Sequence, residues 1–207
     1  MPTTLHAPDE QTLEEVIRHR KEQGHDLHDE VWDGEDVIMD VPANPHQKLV
    51  RRLGDGLAAF VDEEGGDEVY AGVNVTDQRD RAAWKSNYRI PDVAVFLAGN
   101  PVEDRHSHYL GGPDLAVEVI SRGDRTREKF GFYAAVGTRE LLVVEEDYER
   151  WELYRLAGGE LRLAGVITPG DGPLRTESVP LSWTLAQSDR LRLSLVGDGG
   201  ERTVLVR

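Results

Sequence analysis

Apolar residues recur along this chain with two periods, one of about 3.6 residues and one of two. Leu13, Val16 and Ile17 share a helical face just inside Thr12-Leu13-Glu14-Glu15, which has the form of a capping box with Thr12 as N-cap. A helix is predicted there, with Gly24 as its stop. Val31-Trp32 and Val37-Ile38-Met39 read as two short strands around an Asp33-Gly34 turn. Asn44-Pro45 opens a second helix, with Asn44 as N-cap and proline in the first turn. Leu49, Val50, Leu53, Leu57 and Phe60 then recur at helical spacing, and Gly65-Gly66 ends the helix.

From there the period changes. Val69, Ala71, Val73 and Val75 alternate as in one half-buried strand. Ile90 to Leu97 is more continuously apolar, as in a central strand, and Leu115 to Ile120 is similar, interrupted only by Glu118. Thr126 to Val136 is helical in pattern, Leu141 to Val144 reads as a buried strand, and Trp151 to Leu156 alternates as its partner. The tail from Gly158 carries short alternating runs at Leu161/Leu163, Leu191/Leu193/Leu195 and Val204/Val206, with Asp198-Gly199-Gly200 as a hairpin turn. By pattern alone the chain is mixed α/β. The division predicted is residues 1–157 as one α/β domain with an N-terminal helix and hairpin, and residues 158–207 as a β appendage packed on it.

Two acids interrupt the apolar strands. Asp92 follows Pro91, and Glu118 stands with Ala116 and Ile120 on one face while Leu115, Val117 and Val119 take the other. An ionised carboxylate in such a place is costly unless it is paired or metal-bound. Carboxylates on rigid strands suit a hard divalent cation. The plainer alternatives are a strand-end aspartate open to water, and a glutamate in a structural ion pair or on an edge strand.

An ordered series surrounds these acids: Asp33-Gly34-Glu35, His46, Pro91-Asp92-Val93, Pro113-Asp114-Leu115 with Glu118-Val119 and Ser121, then Lys129, Tyr133, Gly137 and Glu140. It resembles the pattern of the Uma-type restriction endonuclease family, within the PD-(D/E)XK nuclease superfamily, over about residues 10 to 185. The resemblance implies a restriction-endonuclease-like core, a mixed β-sheet flanked by helices, with the C-terminal β appendage beyond it. It also implies metal-dependent cleavage of phosphodiester bonds. Asp92, Glu118 and the Val119 backbone carbonyl would hold Mg²⁺ or Mn²⁺, Lys129 would be catalytic, and His46 and Asp114 would support the site from behind. The chain departs from the superfamily at Ile120, where the motif has its lysine. Lys129 is the substitute that the Uma-type pattern suggests. From Glu118 to Ser121 a strand advances roughly 10 Å. A helix running back from Asp124 recovers about 7.5 Å by Lys129. A surface lysine beside Glu128 is the plainer reading. Asp114 is equally well explained as a strand terminator.

Charge pulls the other way. The chain has 24 Lys+Arg and 39 Asp+Glu, a net of −15, where a nucleic-acid binder shows a basic footprint. Residues 1–40 hold 12 acids and 3 Lys/Arg, so they carry −9 of it. Arg79, Arg81, Lys85 and Arg89 precede Asp92, and Arg122, Arg125 and Arg127 follow Glu118, so phosphate can still approach. With no cysteine, disulfides and thiolate metal sites are excluded. No apolar run reaches the ~20 residues of a membrane span, and the N-terminus lacks the form of a signal peptide. A cytoplasmic protein acting on nucleic acid, DNA first, is the expectation, and a homodimer would supply two sites for two strands. No Gly-x-x-x-x-Gly-Lys loop and no Gly-x-Ser-x-Gly elbow is present, which leaves an ATPase or a serine hydrolase unsupported. The competing reading is a nuclease fold that binds or regulates without catalysis.

Overall fold

A computed structural model describes residues 10–24, 26–120, 124–145, 150–187, 191–197 and 200–205. Ser121, Arg122 and the Asp198-Gly199 turn lie outside the described residues, as does the N-terminal stretch before Glu10. In chain order the helices are α1 (Glu10–Gln23), α2 (Asn44–Ala58) and α3 (Phe130–Ala135). The strands are β1 (Glu30–Trp32), β2 (Glu35–Val37), β3 (Glu68–Tyr70), β4 (Val75–Thr76), β5 (Tyr88–Arg89), β6 (Val93–Phe96), β7 (Glu103–Asp104) and β8 (Tyr109–Leu110). They continue as β9 (Leu115–Ile120), β10 (Glu140–Glu145), β11 (Trp151–Ala157), β12 (Glu160–Ile167), β13 (Leu174–Arg175), β14 (Ser182–Gln187), β15 (Leu191–Gly197) and β16 (Gly200–Leu205).

The central sheet has the order β12-β11-β10-β9-β6-β3. Only β9 and β10 run parallel within it, and their connection carries a 3₁₀ turn at Thr126–Lys129 and α3, as a parallel crossover requires. The segment after residue 157 is therefore not all separate: β12 is an edge of this sheet. A second sheet, β2-β1-β5-β4-β8-β7, holds the N-terminal hairpin against β5. A third, β13-β14-β15-β16, closes the C-terminal side.

Alternation along β9 divides the core. Leu115, Val117 and Val119 face α2 residues Leu49, Leu53 and Leu57, while Ala116 and Ile120 face a second cluster with Phe132, Tyr133 and Val143. Trp183, Leu185, Leu193 and Leu195 of the third sheet join the first cluster, so one apolar body spans both parts of the chain.

Several predicted elements move. Val69 to Val75 is not one strand. Gly72, at φ 72°, turns the chain, so β3 joins the central sheet and β4 the second. The apolar run at Ile90 starts as a strand only at Val93, because Pro91 has no N–H for a ladder. In α2 the N-cap is Ala43 and Asn44 is already helical, with no side-chain cap bond. That helix ends at Ala58 rather than at Gly65-Gly66. Asp62 takes the Gly65 N–H and gives its own to Asp67, a local pairing that competes with helical turns. α1 begins at Glu10, two residues before Thr12.

Trp183 is fully buried in the shared cluster. Trp183→Ala is expected to cost about 3–5 kcal/mol and to lower the midpoint of one cooperative urea transition. Two separate transitions would show that residues 158–207 fold on their own.

Candidate functional site

Asp92 stands at the break between β5 and β6, just before the sheet resumes. Its two oxygens are held from opposite sides. The Val119 N–H donates to Oδ2 at 2.7 Å, and His46 Nε2, from the first turn of α2, meets Oδ1 at 3.0 Å. Val93 pairs with Val117, so two residues further on Pro91 stands level with Val119. Proline has no N–H to give, which leaves the Val119 carbonyl on that edge without its ladder donor. One residue sequence thus opens a gap in the sheet and puts a carboxylate beside it.

Glu118 lies across this gap and is 4% exposed. The Tyr133 hydroxyl donates to its Oε1, and Lys129 Nζ lies 3.2 and 3.4 Å from its two oxygens. Lys129 is itself 2% exposed, and its nearest partner is Glu30 Oε1 at 2.9 Å. Glu30 opens β1, is 1% exposed, and also accepts from the Ile90 N–H at 2.8 Å and the Trp32 ring N–H at 2.6 Å. The ammonium therefore bridges two buried carboxylates from different sheets. Burial opposes its charge, but Glu118 and Glu30 outweigh burial and raise its pKa above the ordinary value. Burial pushes the Glu118 carboxyl up to about 8, with Lys129 opposing and Asp92 and Glu30 adding to the rise. Burial and then the same carboxylates push the Tyr133 phenol well above its ordinary value, so it stays a donor.

The predicted residues Asp92, Glu118, Lys129, Val119 and His46 are thus brought together. Asp114 is not. It sits at the far end of β9, where its Oδ2 accepts from the Leu97 N–H and from Asn100, and Arg139 pairs with its Oδ1. Its role is to fasten the start of the strand. Glu35 is exposed on β2. Glu30 and Tyr133 were missed as site residues. Tyr133 lies four residues after Lys129, the helical spacing that shares a face. Glu30 had only a weak signal, an acid one strand position from Trp32 on the same face.

These groups close one end of a cavity of about 670 Å³. Its walls are the first turns and outer face of α2, the Met39–Ala43 segment, and Val69 to Gly72. Met39, Val41, Val50, Val69 and Ile90 make them largely aliphatic, and Val41 is 66% exposed. Gly54 stands on the cavity face of α2, where a Cβ would meet nothing within 4 Å. Glycine inside a helix costs about 1 kcal/mol against alanine. No neighbour demands it here; what it leaves is width.

The cavity is acidic. Glu30, Asp40, Asp55, Asp92, Glu118 and Asp124 line it against Arg51 and Lys129, and Arg51 pairs with Asp55. Four of the arginines expected to flank the site are engaged elsewhere. Arg89 is buried over the Trp32 and Phe132 rings, Arg81 pairs with Glu103, Arg125 with Glu128, and Arg127 with Glu152.

A hard cation needs oxygen ligands. Among the described residues no three His, Asp or Glu side chains converge as a ready cage. The set that could take part instead is two carboxylates, Asp92 and Glu118, with the Val119 carbonyl, whose ladder donor Pro91 cannot supply. Each bonded carboxylate oxygen keeps a second acceptor position.

The chain matches the model of the Uma2 family, described as putative restriction endonuclease, over residues 13–188. Its fold is similar to the crystal structure of a putative nuclease belonging to DUF820 from Anabaena variabilis ATCC 29413. That match has a TM-score of 0.58 and 15% identity, and covers 73% of this chain and 83% of that one. At that identity the likeness concerns the fold alone. No curated protein matches the chain. Among the described residues no helix is long and apolar enough to cross a membrane.

Removing the ammonium strands two buried carboxylates. Lys129→Ala is expected to cost about 3–5 kcal/mol in urea unfolding without divalent cations. A loss below about 1 kcal/mol, the scale of an exposed pair, would mean the carboxylates do not depend on it.

Proposed function

The chain belongs to the Uma2 family of putative restriction endonucleases, and from that premise and its buried site we propose that it is a divalent-metal-dependent nuclease cleaving phosphodiester bonds in DNA. The observation that carries this reading is the pair of carboxylates, Asp92 at the β5–β6 break and Glu118 on β9, with a buried ammonium held against Glu118. Asp92, Glu118 and the Val119 carbonyl would hold Mg²⁺ or Mn²⁺. When bound, such an ion acidifies water and offsets charge building on the phosphate.

The chain's own groups prepare that chemistry. His46 and the Val119 N–H fix the Asp92 carboxylate in one orientation. Tyr133 fixes Glu118. Lys129 remains an ammonium, so it serves as a donor and a fixed positive charge, not as a base. Glu30 is a positioning residue: it gives Lys129 a second partner, so the lysine keeps its place when Glu118 turns to a cation. Three carboxyl groups, Asp92, Glu118 and Glu30, gather around one ammonium, and once Glu118 has given up its proton a divalent ion offsets the excess of carboxylate.

A noncatalytic nuclease fold is the second reading. Lys129 and Tyr133 already occupy Glu118, and the cavity is acidic toward phosphate. Metal binding separates the two.

Calorimetry of the native chain with Mn²⁺ is expected to show one site that disappears in Glu118→Gln and weakens about tenfold or more in Glu30→Gln. A folded native protein that binds neither Mn²⁺ nor Mg²⁺, even with DNA present, would favour the second reading. The affinity should also depend on pH. Because the Glu118 carboxyl is raised to about 8, an ion must displace its proton below that pH. Affinity should rise about tenfold per pH unit toward pH 8 and level off above it. A flat profile from pH 6 to 8.5 would show that Glu118 is not the titrating ligand.

A further inference from the structure

The shape and charge of the cavity bear on which form of nucleic acid enters it. The groups that would meet a scissile phosphate, Glu118 and Lys129, lie buried at its inner end. A volume of about 670 Å³ lies in the range of pockets that take one small organic group. Duplex DNA presents one phosphate for about every 1.7 Å of its axis, and its binders meet several with Lys and Arg. Here six carboxylates and two cations line the walls, and one of those cations is already paired with Asp55. A bound divalent ion can compensate one phosphate group at the inner end. Further phosphates along the walls would be repelled.

The rest of the cavity suits a neutral body. Met39, Val41, Val50, Val69 and Ile90 offer an aliphatic wall, and the Val41 side chain in it is largely exposed. Gly54 widens the cavity where any side chain would narrow it. A base and its sugar have the size and polarity for this space, provided they are free of a paired strand.

We infer that the cavity binds one unpaired nucleotide beside the scissile phosphate, so that the substrate class is single-stranded or end-frayed nucleic acid rather than intact duplex. This rests on the nuclease reading for the cleavage step, but not for the binding step.

Binding can be read with the full chain by fluorescence anisotropy in Ca²⁺, an ion with the same preference for oxygen. The probes are a short labelled single strand and its blunt duplex. The single strand is expected to bind at least tenfold more tightly, with a slope of log K against log salt of about −0.7, as for one phosphate. Gly54→Trp, which fills the widened wall, should weaken single-strand binding at least tenfold while Mn²⁺ affinity stays unchanged. Val41→Asp, at an exposed position with little bearing on folding, should weaken it in the same direction. Equal binding of duplex and single strand, or no change in either variant, would overturn the inference. Cleavage in Mn²⁺ then separates the two claims. Single-strand binding lost in Gly54→Trp, but with no strand ever cut, supports the cavity and removes the nuclease reading. A blunt duplex cut as fast as the single strand keeps the nuclease reading and removes the inference.

Discussion

The ammonium of Lys129, buried between Glu30 and Glu118, is the contact on which the site's geometry depends. Each of the three groups would be expensive alone in this interior. Together they satisfy one another, and they tie three parts of the chain: the N-terminal hairpin, the central strand β9, and the turn that leads into α3. Glu30 adds a fourth by taking the Ile90 N–H, two residues before Asp92. The hairpin is thus more than a decoration on the core. It supplies the carboxylate that fixes the lysine and, through Ile90, steadies the approach to the Pro91-Asp92 break. Such a buried pair is weak evidence for high stability, because desolvation cancels much of its attraction. Its consequence is positional: few other arrangements leave none of these charges uncompensated.

What could be read from the sequence was whatever depends on near neighbours. The apolar periods located α2, β9, β10 and β11, and the family-like series located Asp92, Glu118 and Lys129. Errors arose where one residue redirects the chain. Gly72 splits an alternating run between two sheets, and alternation alone gives no sign of that. Asp62 competes with the end of α2 by a local side-chain bond. Glu30 is the instructive miss, since it meets Lys129 across 99 positions of sequence. The pairing of β1 with β5 at Val31–Tyr88, backed by bonds such as that from the Ile90 N–H to Glu30, brings it there.

The acidity of the chain has the same physical origin inside and out. Among the described residues, Arg81 and Arg127 are held in ion pairs and Arg89 lies against aromatic faces, which draws them away from a polyanion. Around the candidate site the imbalance is local and useful, because an excess of carboxylate attracts a divalent cation. The same excess discourages additional phosphates. On the proposed reading, metal affinity and a narrow tolerance for polyanion would be two results of one charge distribution.

The departure at Ile120 follows from the two faces of β9. Position 120 shares the face of Glu118, and Ile120 there packs toward the cluster of Phe132 and Tyr133. A lysine in that place would carry its charge into the apolar cluster or need a partner at the strand's end. Lys129 instead arrives from the element that covers this face. Its stem lies among the residues of the α3 side, and its ammonium meets Glu118 from across the gap. Tyr133, one helical turn on, follows it to the same carboxylate. With isoleucine at position 120, β9 stays apolar except at one acid, and the position of the Lys129 ammonium depends on a second carboxylate, Glu30, brought in by the hairpin.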